Sequence, residues 1–153
     1  MKGIGTSTGM HVAKKGSAGE TGGEPPPLPF LSEDVTKALL HVTAGPVPAK
    51  SHFVGRATLD MYASENAWEA YGRFDQPFPP GSLLVAHHLS TTPGEAPLGT
   101  YVMQKLESDA GADGAWRFVV VDEKGAVVAD GTLAACLNCH REAARDYVFP
   151  VGN

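Results

Sequence analysis

The sequence predicts an α+β domain made mostly of antiparallel β-sheet with a few helices, and three observations lead to this class. Short segments rich in β-branched and aromatic residues recur along the chain, separated by brief loops that contain glycine or proline. Such spacing favours strands that pair with their chain neighbours, because a parallel pair would need a longer crossover. Two other segments have helical caps and helical spacing of apolar residues, and the chain closes with a further predicted helix.

The first predicted helix follows Ser32, which is a residue type favoured as an N-cap. Acidic residues occupy its first turn, where they complement the helix dipole. Val35, Leu39 and Val42 lie on one face at helical spacing. We expect the helix to run to about Val42, with His41 near its end facing solvent or interacting with the dipole.

A strand and a short helix are predicted next. Residues 52–62 alternate loosely between apolar and polar positions and are rich in β-branched and aromatic residues, which favours a strand. Residues 63–71 predict a short helix with a serine as its cap and a glycine at its end. Trp68 and Tyr71 share one face of this helix, and we expect both in the core.

The following strand is predicted over residues 82–89, after a proline-rich turn. Because successive side chains of a strand point to opposite faces, its residues divide into two sets. Leu84, Ala86 and His88 share one face, whereas Leu83, Val85 and His87 share the other. Further strands are predicted over residues 100–106, 116–122 and 126–129.

The chain of 153 residues, 42% of them hydrophobic, suits a single folded domain. Residues 1–29 are rich in glycine, proline and small polar residues and show no helical or strand period, so we interpret them as a flexible leader or linker. The folded domain is therefore predicted over residues 30–153. The net charge of −5 and the pI of about 5.6 argue against nucleic-acid binding. No apolar stretch reaches the length of a membrane helix.

The most informative segment is Cys136-Leu137-Asn138-Cys139-His140, which has the spacing C-x-x-C-H. Two thiols at this spacing can add to the two vinyl groups on one edge of a haem, and the histidine that follows can ligate the iron. We therefore predict a c-type cytochrome with one haem c per chain, attached through Cys136 and Cys139, with His140 as the iron ligand. The chain contains no other cysteine.

Two alternatives to haem attachment stay open. A structural zinc ion requires four nitrogen or sulfur ligands, so distant histidines would have to join the two cysteines. A redox-active C-x-x-C pair is expected at the start of a helix within a βαβ unit, whereas this motif lies close to the C-terminal end of the sequence. Both alternatives fit this sequence less well than haem attachment does.

No methionine or histidine follows His140, so any sixth ligand of the iron must come from earlier in the chain. Residues 146–149 read Asp-Tyr-Val-Phe after the motif, and residues 78–81 read Phe-Pro-Pro-Gly before an apolar strand. With these features, residues 52–149 resemble the cytochrome P-460 family, which includes cytochrome c′-beta. The resemblance implies a mostly antiparallel β fold, commonly a homodimer, with His140 as the proximal ligand and an open distal side. Asp146 and Tyr147 would either orient His140 or seal the last helix onto the sheet.

One position departs from the resemblance. In the hydroxylamine-oxidising members of the family, a lysine on the strand after the Phe-Pro-x-Gly turn is cross-linked to the haem edge, and this position corresponds to Ala86. Alanine cannot form that bond, and Lys105 on the next predicted strand is a poor substitute because it follows a different turn. We therefore predict an ordinary c-type spectrum and a closer likeness to the members without the cross-link, which bind small gases.

Several upstream residues are candidates for the distal side of the haem. His88 shares a predicted face with Ala86 and is the first candidate for a ligand or a hydrogen-bond donor, while His87 replaces it if the register shifts by one residue. Surface positions for both histidines are an equal alternative. Arg56 is a weaker candidate, as a partner of a propionate or a small anion. Three more residues are considered: Met103, which is better explained as core, and Phe53 and Phe78 as apolar caps.

Three functions fit these residues. The first is binding of a small ligand such as NO at an open iron under an apolar pocket. The second is electron transfer by a six-coordinate haem, which needs a sixth protein ligand and a redox partner protein. The third is a haem oxidoreductase acting on hydroxylamine, another small nitrogen compound or peroxide, which needs a proton-handling group such as His88. Ala86 makes the third function the least favoured.

Haem is attached through thioether bonds outside the bacterial cytoplasm, so we expect a periplasmic or otherwise extracytoplasmic protein. A secretory signal is then expected, yet residues 1–29 contain neither an apolar core segment nor a convincing cleavage site. We therefore expect the native signal or anchor to be missing from this sequence.

Overall fold

The computed structural model describes residues 32–73, 76–107 and 115–151, which form a seven-stranded antiparallel sheet with three helices. The strands are β1 (Leu40–His41), β2 (Val47–Pro48), β3 (Ala57–Ala63), β4 (Leu83–Ser90), β5 (Gly99–Lys105), β6 (Trp116–Val121) and β7 (Val127–Gly131). The helices are α1 (Glu33–Lys37), α2 (Glu65–Tyr71) and α3 (Ala134–His140). The predicted leader, residues 1–29, lies outside the described residues, so its interpretation stays a prediction.

The sheet follows the order β1-β3-β4-β5-β6-β7, with β2 paired to β3. Each strand from β3 to β6 pairs antiparallel with the next strand along the chain. The predicted α+β class with a mostly antiparallel sheet is therefore confirmed. The register sets Ala86 of β4 opposite Met61 of β3 and Tyr101 of β5. These three side chains consequently lie on the same face of the sheet.

Helices cover both faces of the sheet. The α3 face carries Leu84, Ala86 and His88, and α2 and α3 pack on it around a core of large apolar side chains: Met61, Phe78, Trp116, Phe118 and Leu137. Burial of each such side chain contributes roughly 2–3 kcal/mol to stability. The α1 face carries Leu83, Val85 and His87, and its core packs against Val35 and Leu39. The predicted division of this strand into two sets is confirmed.

The first helix is shorter than expected. It begins after Ser32, whose side chain accepts a hydrogen bond from the Val35 amide as predicted, but it ends at Lys37. Leu40 and His41 form β1 instead of a last helical turn, and they pair with β3. Pairing with a sheet edge satisfies their backbone groups, and this tertiary contact outweighs the local helical preference. His41 is therefore not at a helix end; it hydrogen-bonds to Asp60 and stacks on Tyr62.

The strand expected over residues 52–62 begins only at Ala57, because the preceding residues form turns. Phe53 and Gly55 have positive φ angles of 50° and 72°, a conformation that a strand cannot contain. Arg56 is consequently an exposed turn residue rather than part of a strand. This error matters for the site, because the turn carries His52.

Helix α2 occupies the predicted segment, between the predicted serine and glycine caps. Ser64 donates a hydrogen bond to Asn66 Oδ1 instead of capping the helix with its own oxygen. The expectation of two core aromatics is wrong for Trp68, which is 48% exposed, while Tyr71 is half-buried against Phe78. The Trp68 indole lies over β1, where it donates to the His41 carbonyl across 3.2 Å.

Candidate haem site

Helix α3 brings together the three residues of the predicted attachment motif. Cys136 and His140 lie four residues apart and so share one side of the helix, with Cys139 one turn from Cys136. Leu137 is buried in the core of the α3 face and fixes the helix on the sheet. Both cysteines are free thiols, Cys136 partly buried and Cys139 exposed. Cys136 packs against the same core as Leu137, whereas Cys139 is open to solvent.

Burial raises the pKa of the Cys136 thiol, and the neighbouring Cys139 raises it further. Redox-active C-x-x-C motifs depend on the opposite shift, because their nucleophile is a thiolate at neutral pH. This environment favours the protonated form of the Cys136 thiol over the thiolate that a redox pair needs.

His140 has a defined orientation. Its Nδ1 lies 2.7 Å from the backbone oxygen of Tyr147, and a carbonyl oxygen can only accept, so Nδ1 carries the proton. In the neutral imidazole the lone pair then lies on Nε2, and among the described residues no hydrogen bond engages this atom. Phe118 and Phe149 flank the ring, with centroids at 5.4 and 5.6 Å. A histidine that donates through one nitrogen and offers the other is the usual form of a metal ligand.

The loop that supplies this carbonyl is strained and firmly held. Asp146 and Tyr147 have φ angles of 43° and 63°, and left-handed backbone at such residues costs about 1–3 kcal/mol each. The Asp146 carboxylate accepts hydrogen bonds from the Phe78 amide at 2.8 Å and from Lys105 Nζ at 2.7 Å. Trp116 Nε1 donates to the Asp146 carbonyl at 2.9 Å. These contacts offset the strain and position the Tyr147 oxygen for His140.

A second cluster of rings lies on the same face of the sheet. His88 of β4 is fully buried and contacts His52, Phe53 and Tyr101, with ring centroids 5.0, 5.4 and 4.5 Å away. Nδ1 of His52 and Nε2 of His88 are 2.9 Å apart and hydrogen-bonded. His52 also packs on Tyr101 at 4.6 Å. The turn before β3 and the ends of β4 and β5 thus form one aromatic wall.

Burial favours the neutral form of both histidines of this wall. Burial lowers the pKa of His88 to about 4, with a further lowering by the adjacent His52. Burial, and secondarily His140, also lowers the pKa of His52. The Tyr101 hydroxyl has a raised pKa, first from burial and then from Cys136.

The wall and the proximal histidine meet directly. The ring centroids of His52 and His140 are 6.2 Å apart, with their planes inclined by 36°. Sequence reasoning missed His52 because it was assigned to a strand and no spacing links it to the motif. The only feature of the sequence that could have indicated His52 as a site residue is that it is a histidine at the start of a predicted strand.

The other predicted site residues are divided by the sheet. Ala86 and Met103 lie on the α3 face, where Met103 pairs with Phe118 and packs against the core. His87 lies on the α1 face, hydrogen-bonded to Thr100 at 2.9 Å, so the register places it away from His140. Arg56 is exposed in the turn before β3.

The two phenylalanines predicted as apolar caps over the haem lie in different places. Phe53 belongs to the wall, since its ring lies 5.8 Å from that of Tyr101. Phe78 is buried in the core, with its ring 5.7 Å from that of Trp116. Phe53 is therefore the one that adjoins His52 and His88.

The residues present suit a haem. Two reduced thiols and a proton-fixed imidazole lie on one helix, and aromatic side chains surround them. Within residues 32–73, 76–107 and 115–151, no three His, Cys, Asp or Glu side chains converge on a metal site, so the described chain offers no four-ligand zinc centre. Aromatic and apolar neighbours are the surroundings that a porphyrin requires.

Comparison with known proteins agrees with this arrangement. A family model described as cytochrome P-460 matches residues 41–150, a range that includes the aromatic wall and the C-x-x-C-H motif. No curated protein matches the chain. None of the helices in the described part of the chain has the length and apolar character needed to cross a membrane.

Proposed function

The chain belongs to the cytochrome P-460 family of haem proteins, and from this we propose that it is a mono-haem c-type cytochrome that binds a small ligand such as NO. Cys136 and Cys139 hold the haem covalently and His140 is its proximal ligand. Each thiol adds across one vinyl double bond: sulfur bonds to one carbon, the thiol proton goes to the other, and no electrons are gained or lost. When bound, the haem supplies the iron at which a ligand or an electron is taken up.

The hydrogen bond between His140 and Tyr147 carries this proposal. It fixes the imidazole tautomer that ligates through Nε2, and it does so on the helix that bears both thiols. The loop around Asp146 is held by buried hydrogen bonds with Phe78, Lys105 and Trp116, and these contacts position the Tyr147 carbonyl that fixes this tautomer.

The aromatic wall supports ligand binding on the distal side. Phe53, Tyr101 and the neutral His88 form a largely apolar, uncharged surface, which suits a diatomic molecule better than an anion. His52 is the one imidazole of the wall that adjoins His140. It can act as a hydrogen-bond donor to a bound ligand or, as the second candidate function requires, as a ligand itself.

Electron transfer is the second candidate, and the 6.2 Å separation of His52 and His140 favours it. A six-coordinate iron changes little in structure between its two oxidation states, so it exchanges single electrons readily. A redox partner protein would then be required. Oxidation of hydroxylamine is less well supported, because Ala86 stands where a cross-linking lysine would be, and Lys105 is paired with Asp146.

Haem attachment through thioethers also supports an extracytoplasmic, periplasmic location, and the resemblance to the family supports a homodimer. Cell fractionation of the native host and sedimentation of the purified haem protein test these two points. Recovery in the cytoplasm would contradict the proposed location, and a monomer at micromolar concentration would contradict the dimer.

The main test is expression together with a c-type haem maturation system. Haem should stay with the polypeptide on a denaturing gel, and it should be lost in the variant carrying Cys136→Ser and Cys139→Ser. His41→Ala is a matched control, because His41 belongs to β1 and is bonded to Asp60. The reduced protein should also change its absorption spectrum with NO. Haem that dissociates on denaturation of the wild type would overturn the proposed attachment.

A further inference from the structure

We propose that His52 is the resting sixth ligand of the iron, held in place by His88, so that any small ligand must first displace it. The inference rests on the proposed function, since it takes His140 as the proximal ligand. The two candidate functions then correspond to two states of one site: His52 bound to the iron, as electron transfer requires, and His52 replaced by a small ligand. Release of His52 and binding of the small ligand leave the oxidation state of the iron unchanged, because the lone pair of the ligand replaces that of the imidazole.

The spacing of the two rings suits opposite positions on one metal ion. Metal–nitrogen bonds to imidazole are about 2 Å long and each ring centre lies about 1 Å behind its nitrogen, so two ligating rings have centroids about 6 Å apart. The observed distance between the His52 and His140 centroids is 6.2 Å.

His140 and His52 are each hydrogen-bonded through the same ring atom, Nδ1. Nδ1 of His140 is bonded to the Tyr147 oxygen and Nδ1 of His52 to Nε2 of His88. Each ring thus has its Nδ1 engaged, and no hydrogen bond in the described part of the chain engages either Nε2. When His88 accepts through Nε2, the proton of His52 lies on Nδ1 and the Nε2 lone pair of His52 is available.

His88 is the positioning residue in this arrangement. It is fully buried between Phe53 and Tyr101, and its register on β4 sets it opposite Gly99. A buried polar ring in such surroundings requires a partner, and His52 is the partner it has. The sheet therefore holds His88, and His88 holds His52.

The turn that carries His52 is built around positive φ angles. Phe53 at 50° and Gly55 at 72° reverse the chain, and the Arg56 amide closes the turn on the Phe53 carbonyl at 2.7 Å. A left-handed phenylalanine is strained. Its conformation is compensated by contacts of its ring with His88 and Tyr101, which keep His52 on the side of His140.

Two other residues on the α3 face are less suitable as sixth ligands. Met103 packs in the core beside Phe118. His88 offers its Nε2 to His52, so this atom is already engaged. Variants of these residues separate the alternatives.

The test uses the haem-loaded protein and four variants: His52→Ala, His88→Gln, Met103→Leu and His87→Ala. Ferric and ferrous absorption spectra and electron paramagnetic resonance report the spin state. We expect a low-spin wild type, a high-spin His52→Ala variant, and low-spin Met103→Leu and His87→Ala variants. His87→Ala is the matched control, because this histidine lies next to His88 but on the α1 face. In His88→Gln the amide oxygen can still accept from His52, so low spin should be retained.

Ligand kinetics give a second readout. If His52 occupies the iron about 99% of the time, its removal should raise the apparent affinity for CO by about 100-fold. The wild-type association rate should level off at high CO, because release of His52 becomes limiting, whereas the rate for His52→Ala should stay proportional to CO. Added imidazole should return His52→Ala to low spin, which would demonstrate an intact pocket.

Three results would overturn the inference. They are a high-spin wild type, a low-spin His52→Ala variant, and a wild-type CO rate that rises in proportion to CO without levelling off. If His52→Ala does not fold, the wild-type spectra and CO kinetics, together with His52→Gln, decide the question. Covalent haem with a high-spin wild type would refute only this inference, whereas haem that is lost on denaturation would refute the proposed attachment as well.

Discussion

Lys105 and Asp146 form an ion pair of 2.7 Å that holds the loop orienting His140, and each side chain is only 9% exposed. The pair joins the end of β5 to a segment far along the chain. Asp146 also accepts hydrogen bonds from the backbone of Phe78, so one carboxylate holds three parts of the structure together. Its loss should therefore affect both stability and the proximal histidine.

Replacing Asp146 by asparagine should lower the free energy of unfolding by about 3–5 kcal/mol, because it removes the carboxylate charge that pairs with the buried Lys105. Asparagine tolerates the left-handed backbone, so the change isolates the charge. Urea unfolding of the haem-loaded protein measures the effect. Asp130→Asn breaks the more exposed pair with Arg117 and should cost less than about 1 kcal/mol. Equal losses in the two variants would show that the buried pair has no special role.

Gly99 should not tolerate alanine. An added Cβ would lie 2.6 Å from the Val121 carbonyl oxygen, and φ at this position is +134°. We expect Gly99→Ala to reduce the free energy of unfolding by about 2–3 kcal/mol and to disturb His88, its partner in the register.

Gly125→Ala provides the control for this change, since φ is +82° but no atom lies within 4 Å of the added carbon. Its cost should be about 1 kcal/mol, from the backbone alone. Urea denaturation of both variants distinguishes the two effects. A Gly99→Ala protein as stable as Gly125→Ala would mean that β6 moves away freely.

Stability should fall in acid partly through Asp60. Burial acts to raise the pKa of Asp60, but hydrogen bonds from His41, Thr43 and Tyr62 outweigh it, and the pKa lies below its usual value of 3.8. A lowered pKa in the folded state means that the contribution is complete above the unfolded pKa and is lost as pH falls through the folded pKa.

The corresponding measurement is the free energy of unfolding between about pH 6 and pH 2. Asp60→Asn should show a shallower decrease with falling pH than the wild type, while Glu123→Gln in an exposed turn serves as a charge-matched control. Parallel curves for wild type and Asp60→Asn would exclude Asp60 as a source of acid sensitivity.

Proteolysis of the haem-loaded protein should release haem bound to one peptide, the one that contains Cys136 and Cys139. Ala86 provides no nucleophile, and Lys105 is occupied by Asp146. Mass spectrometry should therefore find haem plus a single peptide, and the absorption spectrum should be that of an ordinary c-type haem. A second peptide from β4 or β5 on the same haem would contradict this prediction.

The parts of the structure that follow local rules could be predicted from the sequence. The alternation of β4 was correct because one face meets the α3 core and the other the α1 core, so each side chain has an unambiguous preference. The position of α2 followed from its caps. The C-x-x-C-H motif identified the helix that bears the cysteines before any tertiary contact was considered.

The distal side could not be predicted because its residues are brought together only by tertiary contacts. His52 reaches His140 through a turn in which Phe53 has a left-handed backbone, and phenylalanine is not a residue type that indicates this conformation. Likewise, β1 exists only because β3 offers it an edge to pair with. Local propensity carries no information about such partners.

The order of the elements along the chain has a consequence for how the protein matures. Helix α3 is the last element, whereas the strands that support it and the turn with His52 all precede it. Strands β3 to β7 each pair with a neighbour along the chain, so the sheet can assemble without α3. We therefore expect the segment that carries Cys136 and Cys139 to dock onto the sheet as a late folding step.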